Sequence, residues 1–138
     1  MKNLFFSFLT FALVAFANIS NANAQQVNAK IQEVYGDKTQ ELVINDPIRL
    51  DFLNDLLDNR IKIIESPLID NNEKEPKLSS VELLNKYNPA LTRDAVFDPL
   101  NFNPLKYNFN FFPKTASVYR VDNTNYLIVI QAQTLKKD

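Results

Sequence analysis

Apolar positions alternate with polar ones from Val27 through Ala29 to Ile31, with Asn28, Lys30 and Gln32 between them. A period of two predicts a strand that runs toward Tyr35 and stops at Gly36-Asp37. Leu42-Val43-Ile44 is a second short apolar run, of no decided type. The next signal is helical: Asp46 suits an N-cap, Pro47 suits the first turn, and Ile48, Phe52, Leu53, Leu56 and Leu57 recur at helical spacing. Asp51, Asp55 and Asp58 then fall on the solvated side, and Asn59, tolerant of left-handed backbone, is placed as the residue that ends the helix. Residues 60–65 (RIKIIE) are β-branched and partly alternating, so they predict a strand stopped by Ser66-Pro67, with Lys62 facing solvent.

Residues 70–77 (DNNEKEPK) are polar and read as an exposed connector. Ser79 and Glu82 have capping-box spacing, with Leu78 and Leu83 as its staple, and predict a short helix over 80–87 that stops before Asn88-Pro89. Three Asx-Pro pairs, Asn88-Pro89, Asp98-Pro99 and Asn103-Pro104, punctuate residues 88–104. The same stretch holds Leu91, Val96, Phe97, Leu100 and Phe102, which predicts an ordered, turn-rich loop with apolar anchors. Leu105, Tyr107, Phe109 and Phe111 alternate strictly with Lys106, Asn108 and Asn110, the pattern of a strand with one aromatic face. Residues 117–121 and 126–133 complete a C-terminal three-stranded meander, turned at 122–125. The run Tyr126-Leu127-Ile128-Val129-Ile130 is its expected central strand, because an unbroken apolar run implies cover on both faces. The fold class expected is α+β: a small antiparallel sheet, that meander plus one or two further strands, with one main helix and one short helix packed on one face.

The first 24 residues change the picture of compartment. Lys2, an apolar stretch from Leu4 to Ala17 and the exit Ala22-Asn23-Ala24 read as a secretory signal peptide, cleaved to leave a single domain over 25–138. The apolar stretch is shorter than the ~20 residues of a membrane-spanning helix, so the mature chain is expected to carry no transmembrane segment. With no Cys, lipoprotein attachment is excluded. The 18 Asn and the excess of Lys over Arg suggest a bacterial chain. The localisation expected is therefore the cell envelope: periplasmic, outer-membrane-associated or secreted.

Composition removes most catalytic chemistry. The 138 residues contain no His, no Cys, no Trp and one Gly, Gly36. Imidazole and thiolate mechanisms, N- or S-ligated metal centres and glycine-built phosphate loops are excluded, and neither a cofactor nor a metal is expected. A formal charge of −1 without a basic patch argues against nucleic acid as a partner. Paired carboxylates remain permitted, with Asp94 and Asp98 as the pair to consider; Glu73 and Glu75 sit among lysines in the connector and read as solvated.

The leading expectation is a non-catalytic binding or accessory subunit that contacts another envelope protein, not an enzyme. Its candidate binding residues are Arg93, Asp94, Phe97, Phe102 and Phe112, taken from the Pro-anchored loop and from the one Phe that breaks the 105–111 alternation. The alternatives are a small secreted carboxylate-dependent hydrolase or carbohydrate-binding protein, and a ligand-binding protein with an aromatic cavity between helix and sheet.

Overall fold

The computed structural model describes residues 27–67 and 74–134. The expected signal peptide and residues 70–73 of the connector lie outside the described residues. The chain folds as α+β, with a three-stranded antiparallel sheet and two helical segments. Helix α1 spans Ala29–Tyr35 and α2 spans Pro47–Asp55; strands β1, β2 and β3 span Ile61–Glu65, Ser117–Arg120 and Tyr126–Ile130. Among the described residues no helix is long and apolar enough to cross a membrane.

The alternation at 27–35 proves helical, a correction to the expected first strand. Val27, Ile31, Val34 and Tyr35 satisfy helical spacing as well as residues 27–31 satisfy a period of two, and the deciding local signal is Asn28. Its Oδ1 accepts from Lys30 N at 2.9 Å as an N-cap, and Ile31, Val34 and Tyr35 go inside together. Gly36 ends α1 at φ +50°, a left-handed backbone that strains any residue with a Cβ. The undecided run at 42–44 lies in a π-helical turn, Gln40–Ile44, that buries Val43.

Helix α2 follows the sequence signal at its start. Asp46 Oδ1 accepts from Arg49 N at 3.2 Å, with Pro47 in the first turn. Its end differs. The backbone passes Asn59 without a left-handed residue and continues through a π-helical turn, Leu56–Arg60, directly into β1, while Asn59 Nδ2 donates to Asp55 Oδ1 at 2.9 Å. Leu50, Leu53 and Leu56 are buried, but Ile48, expected on the same face, is 83% exposed.

The sheet order is β1-β3-β2, so 126–130 is the central strand, as its apolar run predicts. Ile128 stands opposite both Ile63 and Tyr119. The β2–β3 turn uses Asn123 at φ 56° in place of glycine.

Two expectations fail together, for one reason. Residues 80–87 are not a helix, and residues 105–111 are not a strand of the sheet. After a 3₁₀ turn at Pro104–Lys106 the chain pairs with 82–84 instead: Leu84 N donates to Lys106 O at 2.7 Å, and Asn108 N donates to Glu82 O at 2.8 Å, around a Leu83–Tyr107 bridge. Each segment takes the other's backbone groups, which removes the helical option from 80–87. Ser79, expected to cap that helix, spends its N–H and hydroxyl on the Asp122 carboxylate.

The aromatic face of 105–111 survives without the strand. Tyr107 and Phe109 are buried and Asn108 and Asn110 exposed. The segment lies between two cores: Leu105 joins Ile31, Val34, Leu53 and Leu56 of the helices, while Phe102, Tyr107 and Phe109 pack on Ile128 and Ile130 of the sheet. Ring contacts run from Tyr126 through Phe97, Phe102 and Tyr107 to Phe109 at centroid separations of 5.5, 5.0, 5.5 and 5.9 Å.

Arg60 joins the layers. It is 4% exposed; its Nε and Nη2 donate to Gln131 O, both at 3.1 Å, and Nη2 also donates to Phe111 O at 2.6 Å. Arg60→Met strips a charged donor from two carbonyls and is expected to cost about 2–4 kcal/mol. Urea unfolding followed by far-ultraviolet circular dichroism checks this; a loss below ~1 kcal/mol would show that the joint is redundant.

Candidate functional site

Residues 88–104 are irregular but ordered by a repeated device. In each Asx-Pro pair the Asx oxygen accepts from the backbone N–H two residues on: Asn88 from Ala90 at 3.2 Å, Asp98 from Leu100 at 3.0 Å, Asn103 from Leu105 at 3.1 Å. These are Asx turns, which proline reinforces by fixing φ at the intervening position.

Arg93 and Asp94 belong to a clamp that holds the loop. The Arg93 guanidinium donates to Leu78 O at 3.5 Å and to Val81 O, and lies 5.5 Å from the Tyr107 ring centroid. Asp94 accepts from Lys106 Nζ at 2.8 Å and from the Tyr107 hydroxyl at 3.0 Å. Lys106 Nζ also stands 3.7 Å from Glu33 Oε1, and Glu33 Oε2 accepts from Asn103 Nδ2 at 2.8 Å, so the clamp reaches α1. The Lys106 side chain is 6% exposed. Burial opposes its charge, but the hydrogen bond and charge of Asp94, with Glu33, outweigh burial and hold its pKa above the ordinary lysine value. Tyr107 is raised mainly by burial, with the Asp94 charge adding to it.

Sequence reasoning missed Glu33, Lys106 and Tyr107 as members of this cluster. Strict alternation puts Lys106 on the outer face. The 3₁₀ turn at Pro104–Lys106 breaks that register, so Leu105, Lys106 and Tyr107 are buried in succession.

Phe97 and Phe102 sit in the ring-to-ring chain of the sheet core, beneath the loop rather than on its surface. The large apolar residues of the loop that do face solvent are Val96 and Leu100, 82% and 87% exposed. Asp98 is a turn former: Asn101 Nδ2 donates to it at 2.5 Å, and that bond, with the one from Leu100 N, holds its carboxyl below the usual range. A general acid needs the opposite shift, and Asp94 is already occupied by Lys106 and Tyr107.

Phe112 is apart from the other four candidates. It is 70% exposed and stacks on Phe52 at 4.9 Å and 9°. Both rings line an open groove of about 1190 Å³ along α2, together with Ile48, Asp51, Asp55 and Asp58. Asp51 and Asp58 are exposed, as expected of a solvated side, and Asp55 is half-buried, but the three share a stripe with Ile48 and Phe52 rather than lying opposite Phe52. A smaller opening of about 240 Å³ lies between Leu57, Ile61, Phe102 and Pro104, below the ~300 Å³ at which small-molecule sites begin. Among the described residues no three acidic side chains converge as a metal site.

Comparison with protein-family models, with curated proteins and with solved structures finds no match for this chain.

The raised Lys106 and Tyr107, and Tyr35, raised by burial and by neighbouring Tyr87, bind protons more tightly folded than unfolded. Their contribution is complete below about pH 10 and is lost as pH climbs through the folded values. Urea midpoints measured across the alkaline range are expected to fall past about pH 10. Tyr107→Phe should flatten that fall without abolishing it, since Lys106 and Tyr35 remain.

Proposed function

We propose that the chain is a non-catalytic binding module of the cell envelope, exported by its N-terminal signal, and that residues 88–104 dock it to another envelope protein. The observation that carries this reading is the exposure of Val96 and Leu100 on a loop whose backbone is fixed. Apolar side chains at the tip of a loop held by three Asx turns and the Arg93–Asp94 clamp gain little from solvent, and preorganisation lowers the entropy lost when a partner covers them. In this reading Arg93 and Asp94 are positioning residues, Phe97 and Phe102 anchor the loop from below, and Val96 and Leu100 make the contact.

The clamp also weakens the hydrolase alternative. Asp94 and Asp98, the pair considered for acid–base work, are engaged by the buried Lys106 ammonium and in a turn respectively.

The test is affinity capture of the tagged protein from gently solubilised native envelopes, beside a Val96→Asp/Leu100→Asp variant. A specific partner is expected with the wild type and lost with the variant, whose unfolding free energy should stay within ~0.5 kcal/mol of wild type because both positions are exposed. A protein that stays monomeric and captures nothing, or a partner retained by the variant, overturns the proposal.

A further inference from the structure

We propose that the groove along α2 is a second docking site, and that it takes a cationic peptide segment bearing an apolar anchor, presented by a partner protein. No residue of the 88–104 loop lines this groove, so the inference stands apart from the reading above. Leu53, Leu84, Leu105 and Phe111 contribute to its apolar lining, and Ile48 and Phe112 project into solvent along it, Phe112 stacked on the half-buried Phe52. An exposed phenylalanine backed by a second ring, with an exposed isoleucine beside it, forms a surface for an apolar or aromatic side chain.

Charge identifies the rest of the occupant. Asp46, Asp51, Asp55 and Asp58 line the groove, and among the described residues Arg49 is the only cation in its lining. Arg49 is already paired with Asp46 at 3.8 Å, and Asp51 and Asp58 make no ion pair among the described residues. Asp51, Asp55 and Asp58 follow i, i+4, i+7, a row about 10 Å long at 1.5 Å rise per residue. The carboxylates are spread along the helix rather than gathered on one point, which suits several linked cations and not a single metal ion. In an extended peptide, side chains on one face recur about every 6.7 Å, close to the ~6 Å rise between Asp51 and Asp55. The groove's 1190 Å³ exceeds the ~300–1,000 Å³ of small-molecule sites, and a row of like charges disfavours a second copy set face to face on the same groove.

The test uses a fluorescent synthetic peptide in which one Phe is flanked on each side by two Lys, titrated against the whole protein in low salt by anisotropy. Saturable binding is expected, weakened about tenfold by the Asp51→Asn/Asp55→Asn/Asp58→Asn variant and by raising salt from ~50 to ~500 mM. Phe112→Ser, which leaves every charge in place, and Ala for Phe in the peptide should each weaken binding to a similar degree. Circular dichroism confirms that the variants are folded, and all the altered side chains but Asp55 are exposed on the protein surface. The Val96→Asp/Leu100→Asp variant is expected to bind the peptide as wild type does, so failure of the loop reading and failure of this one are separable. The proposal is overturned by the absence of saturable binding, by equal binding of an analogue with Glu for Lys, or by indifference to Phe112→Ser. It is also overturned if spermine binds as well as the peptide, which would mark a small-cation site, or if sedimentation shows a dimer that Phe112→Ser dissolves, which would mark a contact between copies.

Discussion

The buried guanidinium of Arg60 is the joint on which the architecture turns. It sits where α2 runs without a loop into β1, and the carbonyls it binds belong to residues 51 and 71 positions further along the chain. Gln131 N returns a bond to Arg60 O at 2.9 Å, extending the β1–β3 ladder past its last paired strand residues. The same guanidinium lies 5.6 Å from the Phe52 centroid. One planar cation therefore fixes the helix against the sheet, holds the chain at Phe111, and backs the ring on which Phe112 stacks. Arginine suits this place because Nε and Nη2 are held side by side in one rigid plane and reach both carbonyls, whereas the lysine ammonium concentrates its donors at one point.

Scarcity of glycine shapes everything outside the regular elements. Turns that glycine would make elsewhere are made by Asn and Asp side chains that accept from backbone N–H groups: Asn28, Asn88, Asp98, Asn103 and Asn110 each do so two residues on. A loop built this way has fewer conformations to lose than a glycine-rich one. That is the physical basis for treating the 88–104 loop as a fixed surface, and it makes the exposure of Val96 and Leu100 a property of the folded state rather than of a fluctuating segment.

The two candidate surfaces differ in how much of each is written in the sequence. The loop is visible in the sequence as three Asx-Pro pairs enclosing apolar residues, although Phe97 and Phe102 turned inward and left Val96 and Leu100 at the surface. The groove is not visible there. Helical spacing alone groups Ile48 and Phe52 with Leu53 and Leu56, and only the packing of Leu50, Leu53 and Leu56 into the core shows which side of α2 was left bare.

Signals confined to a few neighbouring residues were sufficient where nothing distant competed. The Asp46-Pro47 cap, the β-branched run of β1, the Asx turns and the apolar run of β3 all carry their reason within the element itself. Tertiary structure decided the remainder. Ambiguous alternation at 27–31 became a helix when Asn28 capped it and Ile31, Val34 and Tyr35 found a common core. Residues 80–87 gave up a plausible helix because 106–108 offered their backbone a partner, and Ser79 bonded Asp122, 43 residues away, instead of its own turn. A local pattern states which conformations a segment tolerates. The hydrogen-bond partners and buried surface that choose among them come from residues far along the chain, and those the pattern does not contain.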